Sequence, residues 1–212
     1  MKNKKLKTTI ILLLLIIYFF ICAYSYANAL STDISTSIFR LHVIANSDSE
    51  EDQNLKYLVR DAIISYMNNL IKKCSTKQEV IYTVNEHLED FKTVAQNIIY
   101  EKGYNYTVNL EIGNFYFPTK TYGDISLPSG LYDALRIKIG KAEGKNWWCV
   151  LFPPLCFVDV SSGIVPDESK EIIKENISKE GYSVISENDY SIKLKFKILE
   201  LLNLGNTQTA KK

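Results

Sequence analysis

Five polar residues near the start of the chain could support acyl-transfer chemistry: Arg40, His42, Asn46, Ser47 and Asp48 lie where a strand pattern meets a helix start. If His42 and Asp48 met beside Ser47, the three could act as base, orienter and nucleophile of a hydrolase. In the structural interpretation, Ser47 or Asp48 caps the helix and Asn46 makes the turn, while Arg40 and His42 form hydrogen bonds beneath it. The structural interpretation is favoured, because caps and turns prefer these residue types whether or not chemistry occurs.

A second candidate site is the segment NWWCVLFPPLC, in which Cys149 and Cys156 close a loop of eight residues that contains two prolines. The leading prediction is a disulfide, to which the loop-entropy model assigns roughly 2.5 kcal/mol. The alternative is two buried free thiols, because oxidation depends on the compartment. A zinc site is less favoured, since six residues separate the cysteines and only His42 and His87 could complete it. Cys74 falls on a predicted helix and is expected to be a free core thiol, with an intermolecular disulfide as the less favoured alternative.

Residues 1–29 have the features of a secretory signal. Met1–Lys7 holds four lysines and no acid, Ile10–Cys22 is almost entirely apolar, and Ala27 and Ala29 have the spacing of a signal-peptidase site. Cleavage after Ala29 is favoured, because the apolar core is shorter than the roughly 20 residues of a membrane-spanning helix. An uncleaved N-terminal membrane anchor is the alternative.

The net charge of the chain and the motifs that it lacks argue against several classes of function. Cleavage would change the formal net charge from +1 to −3, because four of the 25 basic residues and none of the 24 acidic residues would be removed. The part of the chain that remains after cleavage has no net positive charge of the kind that nucleic-acid-binding domains carry, which argues against nucleic acid as a partner. The chain also lacks the glycine-rich nucleotide and phosphate motifs, the zinc-protease motif and the nucleophile elbow. No cofactor is therefore expected, and the case for an enzyme is weak.

The first half of the domain is predicted to be a strand followed by two long helices. Phe39–Asn46 alternates as a strand with one apolar face. Ser47 and Glu50 have the capping-box spacing for the start of the first helix. The second helix is predicted to begin near Thr76 and to end at Gly103.

The second half of the chain has a strand periodicity. Residues 106–117 predict a hairpin that turns at Gly113-Asn114, and Leu131–Ile139 predicts a further strand. The tryptophan segment is predicted to be the second arm of an antiparallel hairpin with that strand. Because neighbouring strand residues face opposite ways, only one of Trp147 and Trp148 can enter the core of a one-layer sheet.

The C-terminal part is predicted to contain a short surface helix, Asp167–Lys179, which ends before Gly181, and a final strand, Tyr190–Ile198. Residues 167–189 are interpreted as a variable helix or linker, and residues 205–212 as a flexible tail. The predicted fold class is α+β, with an antiparallel sheet packed against two long N-terminal helices. The 183 residues after the signal suffice for one domain, over residues 30–204.

Two segments carry a family resemblance. FRLHVIANSDSEEDQNLKYLVRDAIISYM, residues 39–67, and LPSGLYDALRIKIGKAEGKNWWCVLFPPLCFVD, residues 127–159, resemble the stage II sporulation protein R family of endospore-forming bacteria. The resemblance implies a non-enzymatic signalling protein that is exported from the forespore into the space between forespore and mother cell. It implies one partner, stage II sporulation protein GA, a membrane-bound aspartic protease that processes the precursor of sigma-E. Membrane contact is expected only through that receptor or an uncleaved anchor.

The tryptophan segment is the expected partner-binding surface, because aromatic anchors dominate interface energetics and a stapled loop lowers the cost of ordering. An equally open alternative is that the whole segment is core. The candidate partner-binding residues are Trp147, Trp148, Phe152, Pro153, Pro154 and Leu155.

Overall fold

The computed structural model describes residues 2–156 and 164–186, in which helices and strands are mixed along the chain. A single turn of 3₁₀ helix, Ile71–Lys73, follows the second helix. The elements are α1 Lys2–Ser37, β1 Phe39–Ile44, α2 Glu50–Leu70, α3 Lys77–Glu86, α4 Leu88–Glu101, β2 Val108–Phe117, β3 Lys120–Tyr122, β4 Ile125–Leu127, β5 Gly130–Ile139, β6 Asn146–Phe152, α5 Asp167–Asn176 and α6 Lys179–Ser186.

The fold class is α+β, as predicted, but the main sheet is mixed rather than antiparallel. Its four strands lie in the order β2-β5-β1-β6, and β1 runs parallel to β5. The other neighbouring pairs are antiparallel. The predicted hairpin of β5 with β6 is therefore wrong, because β1 lies between them. Five of the six residues of β1 are buried, and a strand buried in this way gains most from a ladder partner on each side.

β2 is one continuous strand, so the predicted turn at Gly113-Asn114 is wrong. Gly113 pairs with Ala134 and Asn114 with Asp133, within a ladder that runs the whole length of β2. The ring of Phe115 folds back over Gly113, where an added Cβ would lie 2.9 Å from Cζ of that ring. The glycine therefore makes room for an aromatic ring within the strand and does not mark a turn.

The structure confirms the predicted helix start at Thr76 and the predicted stop at Gly103, and it corrects the predicted cap of α2. Thr76 and Glu79 form the full capping box of α3, and Gly103 adopts a positive φ of 82° after α4. The predicted second helix is nevertheless divided at His87 into α3 and α4. The N-cap of α2 is Ser49, whose hydroxyl accepts from the Asp52 amide. Ser47, the predicted cap, donates its hydroxyl to the Asp52 side chain and does not accept from a backbone amide of the helix.

Hydrophobic clusters cover both faces of the main sheet. Helices α2, α3 and α4 pack on one face and contribute to a cluster that includes Leu41, Val43 and Cys149. The last turns of α1, the β3–β4 hairpin, α5 and α6 contribute to the cluster on the opposite face. Trp147 packs against the first cluster and Trp148 against the second. Two covering layers therefore explain how adjacent tryptophans are both half-buried.

Helix α1 joins the N-terminal segment to the domain without a break. Its residues from Lys4 to Tyr26 are exposed, whereas Ile34 is buried in the second cluster. The stretch Lys4–Ser37 is long and apolar enough to cross a membrane, a property that signal sequences share. Asp33 also accepts hydrogen bonds from the backbone and hydroxyl of Ser178, ahead of α6. Residues immediately after the predicted cleavage site thus belong to the packed domain.

The predicted helix Asp167–Lys179 corresponds to α5, which ends at Asn176. The predicted stop at Gly181 is wrong, because a second helix, α6, runs from Lys179 through Gly181 to Ser186. Ile173 and Ile185 are buried in the second cluster, so both helices cover the sheet. The predicted strand Tyr190–Ile198 and tail 205–212 lie outside the described residues.

Candidate functional site: the polar junction and the tryptophan segment

Asp52, in the first turn of α2, is the acceptor at the centre of the junction between β1 and that helix. Its Oδ2 accepts from the Asn46 amide at 2.8 Å and from the Ser47 hydroxyl at 2.6 Å. Burial raises the pKa of Asp52, but hydrogen bonds from Ser47, Asn46 and Tyr106 outweigh it and leave the pKa below its usual value. Asp52 is therefore a charged structural acceptor, which the sequence prediction missed.

The same junction holds the loop between β5 and β6. Asn46 Oδ1 accepts from the Lys141 amide at 2.9 Å, and Asp48 Oδ1 accepts from the Lys145 amide at 2.7 Å. A side chain at Gly144 would collide with the Ser47 carbonyl, so the two loops lie in direct contact. These bonds hold the β5–β6 loop in place, so Asn46 and Asp48 have structural roles.

His42 lies within β1, on the face of the strand opposite helices α2 to α4. Its Nε2 lies 2.7 Å from Asn146 Oδ1, and its Nδ1 accepts from Arg136 Nε at 3.2 Å. Because arginine can only donate, Nδ1 carries no proton and Nε2–H donates to Asn146. The ring stacks on Trp148 with centroids 3.8 Å apart. Burial, with smaller effects from Arg136, Lys138 and Arg40, lowers the pKa of His42 to about 4, against the hydrogen bond to Asn146.

The candidate hydrolase residues do not converge. Ser47 donates to Asp52, Asp48 accepts from the Lys145 backbone, and His42 faces Asn146 and Arg136. The hydroxyl has no hydrogen bond to the imidazole, and the imidazole has none to Asp48. The arrangement therefore lacks the contacts between nucleophile, base and orienter that the chemistry requires.

Arg40 occupies an aromatic enclosure on the same face. It is fully buried, its Nη2 donates to the Tyr122 hydroxyl at 2.7 Å, and its Cζ lies 4.2 Å from the Phe117 centroid and 4.8 Å from the Tyr132 centroid. Within the part of the chain that the structure describes, its Nε and Nη1 have no hydrogen-bond partner. Stacking on the rings is the principal compensation for burying this cation.

The tryptophan segment forms strand β6 and the bend that follows. Cys149 and Cys156 form a disulfide with their Cα atoms 5.4 Å apart. Among the candidate partner-binding residues, Phe152, Pro153 and Leu155 are buried. Trp147, Trp148 and Pro154 are half-buried and lie at the surface. The accessible part of the candidate surface is thus smaller than the sequence suggested.

Trp147 belongs to a surface cluster that also includes residues of α2, which sequence reasoning missed. The guanidinium of Arg60 lies 4.3 Å from the Trp147 ring and 4.9 Å from the Tyr57 ring. Tyr57 packs edge-on against Trp147 at 5.5 Å and is 37% exposed. We call Tyr57, Arg60 and Trp147 the tryptophan patch. The spacing of Tyr57 and Arg60 by one helical turn was the available signal.

The structure defines an α+β domain that follows an apolar N-terminal helix. Hydrogen bonds with structural roles hold the junction between β1 and α2, and the aromatic tryptophan patch lies at the surface. The stage II sporulation protein R family model matches residues 35–162. The chain belongs to this family. It is 37% identical over 148 residues to stage II sporulation protein R of Bacillus subtilis (strain 168). The matched region covers 69% of this chain and 66% of that protein, so the chain spans just under two thirds of the length of this relative. No solved structure gives a significant match.

Proposed function

We propose that the chain is a non-enzymatic signalling protein, exported into the space between forespore and mother cell, that activates stage II sporulation protein GA. That receptor is a membrane-bound aspartic protease, which then processes the precursor of sigma-E. Family membership over residues 35–162 carries the proposal. The apolar N-terminal helix and the Cys149–Cys156 disulfide support export, because disulfides persist outside the reducing cytoplasm.

Activation requires differential binding. A ligand shifts its receptor towards the active conformation only by as much as it prefers that conformation over the resting one. The tryptophan patch is the proposed contact, because tryptophan, tyrosine and arginine dominate binding hot spots. Its rings are already packed together around Arg60. A patch ordered before binding loses less conformational entropy in the complex.

Reconstitution of the receptor with its substrate tests the proposal. The full chain, the protease and the precursor would be expressed together in a bacterium that does not sporulate, with the chain exported across the membrane that holds the protease. Precursor processing should depend on the chain. No processing despite correctly inserted protease and exported, folded chain would contradict the proposed function.

A pair of tyrosine variants locates the contact. Tyr57→Ala should reduce processing by about tenfold or more, which corresponds to the loss of one hot-spot side chain. Tyr82→Ala is the matched control, since Tyr82 is 68% exposed and lies on α3, which contributes no residue to the patch. Equal processing by the two variants, at equal melting temperature, would remove the patch from the proposal and leave the signalling role intact.

A further inference from the structure

Strand β2 is ten residues long and, within residues 2–156 and 164–186, pairs only with β5, so that it forms an open edge of the described sheet. The Val108 amide donates to the side chain of Gln96, so this residue points its backbone away from β5. Because backbone direction alternates along an antiparallel strand, Leu110, Ile112, Asn114 and Tyr116 also point outward. Among residues 2–156 and 164–186, no hydrogen bond to these outward backbone groups is found.

Both ends of this free ladder are closed. Gln96 accepts from the Val108 amide at 3.1 Å and donates to the Tyr106 carbonyl at 2.7 Å, so it replaces a neighbouring strand at the first rung. At the other end, the strand is followed by Pro118, which has no N–H. The open ladder is thus bounded to residues 110–116, with Gly113 at its centre.

We infer that a second copy of this chain pairs with this edge, β2 against β2 in antiparallel orientation, on a two-fold axis through Gly113. In that register Leu110 lies opposite Tyr116 of the second copy, and Ile112 lies opposite Asn114. Each such pair exchanges both N–H···O bonds, so every outward group between residues 110 and 116 finds a partner. An isologous interface requires this kind of self-complementary set.

The side chains agree with the same register. Glu111 is the only charged residue of β2, and it would lie opposite Phe115 and not opposite its own copy. Like charges therefore do not meet directly across the new ladder. Tyr116 pairs with Leu131, which is 59% exposed. The pairing would bring these two side chains beside Leu110 of the second copy and cover apolar surface.

Gly113 provides a direct test, because the two glycines would form a non-hydrogen-bonded pair with Cα atoms about 4.5 Å apart. That separation lies within the range of about 4.4 to 6.8 Å seen in disulfides. In a background with Cys22 and Cys74 changed to serine, Gly113→Cys should form a covalent dimer under mild oxidation. Asn109→Cys, on the same strand but off the axis, should stay largely monomeric. The cysteine side chain must displace the Phe115 ring, so folding of Gly113→Cys is checked first by its melting temperature. Equal cross-linking of the two variants, or none by Gly113→Cys at an unchanged melting temperature, would overturn the pairing.

A proline variant distinguishes pairing at this edge from other modes of association. Full chain in detergent should elute with a protein mass of twice the 24.3 kDa of one chain. Asn114→Pro should elute as a monomer, because it removes an outward N–H without removing a backbone bond to β5. The side-chain bond from Asn114 to Asp133 is lost in Asn114→Ala as well, so the two variants differ in the N–H. Asn114→Ala keeps that N–H and should remain dimeric. A monomeric full chain, or a dimer that survives Asn114→Pro with an unchanged melting temperature, would refute the inference.

Discussion

The two edges of the main sheet are protected in different ways. At the β6 edge, the Val150 carbonyl accepts from the Leu155 amide at 3.2 Å, within the bend that the disulfide closes. The Trp148 carbonyl of the same edge accepts from the Tyr122 hydroxyl at 3.2 Å. At the β2 edge, Gln96 closes the first rung and Pro118 follows the last, and within the described residues the outward backbone groups between them have no hydrogen-bond partner.

This difference shows how one sheet can be protected at one edge and remain available at the other. Exposed edge strands are templates for pairing with another chain, and soluble proteins usually block them. The β6 edge is blocked by covalent and side-chain bonds from within the chain. The β2 edge offers an ordered ladder of bounded length, and the proposed pairing with a second copy would complete it. The two edges should therefore respond differently to substitution.

The largest expected effect concerns His42, which links β1 to the β6 edge through Trp148 and Asn146. Its pKa of about 4 in the folded chain lies below the ordinary 6.5, so folding favours the neutral ring. Its contribution to the free energy of unfolding is complete above pH 6.5 and is lost as the pH falls towards 4. The loss should be about 3 kcal/mol. Urea unfolding between pH 7 and 4 would measure it.

His42→Gln is the control for that titration, because glutamine keeps a donor and an acceptor but does not titrate in this range. Its unfolding free energy should fall less than that of the unchanged chain between pH 6.5 and 4. Parallel pH profiles for the two proteins would show that protonation of His42 does not weaken this edge.

The second effect concerns the covalent closure of the β6 edge. Cys156→Ala should lower the free energy of unfolding by roughly 2.5 kcal/mol, because the unfolded chain regains the entropy of an open loop. Cys74→Ala is the matched control, since Cys74 is a half-buried free cysteine, and its cost should be smaller. Urea unfolding at pH 7 distinguishes them, and equal losses would show that the bridge adds no stability to the edge.

The third effect concerns the hydroxyl of Tyr122, which accepts from Arg40 and donates to the Trp148 carbonyl. Tyr122→Phe leaves buried polar groups without that partner and should cost about 2 kcal/mol. Tyr82→Phe, at an exposed tyrosine, should change stability by less than about 0.5 kcal/mol. Thermal unfolding would measure both, and a neutral Tyr122→Phe would indicate that this carbonyl does not need the hydroxyl.

Local signals in the sequence predicted local structure well. The helix start near Thr76 and the left-handed stop at Gly103 each depend on a few adjacent residues, and both are present. The disulfide of Cys149 with Cys156 also depends on a short loop. The exact cap of α2 was missed because Ser47 and Ser49 are both suitable residue types, and the choice depends on Asp52 inside the junction.

Long-range pairing was the part that the sequence could not predict. β1 enters between β5 and β6 although about 90 residues separate it from β5, and no local pattern encodes that neighbour. The burial of the candidate site residues also depends on segments that are distant in the sequence. Arg40 and His42 alternate with apolar residues as on a solvent-facing strand, yet the second layer buries them. Residues from α1, α5 and α6 form that layer, and they come from opposite ends of the chain.

The smallest expected effect concerns the single closed rung of the β2 edge. Gln96→Ala removes the side chain that bonds to both the Tyr106 carbonyl and the Val108 amide. Because water can replace these bonds at a half-buried edge, the cost should be only about 1 kcal/mol. Hydrogen exchange is the sharper measurement, and in an Asn114→Pro background the Val108 amide should exchange about as fast as that of Leu110. Asn97→Ala, at an exposed amide on the same helix, should leave Val108 protected. If Val108 stayed protected without Gln96, another group would close this rung, and the open ladder would have to begin elsewhere on β2.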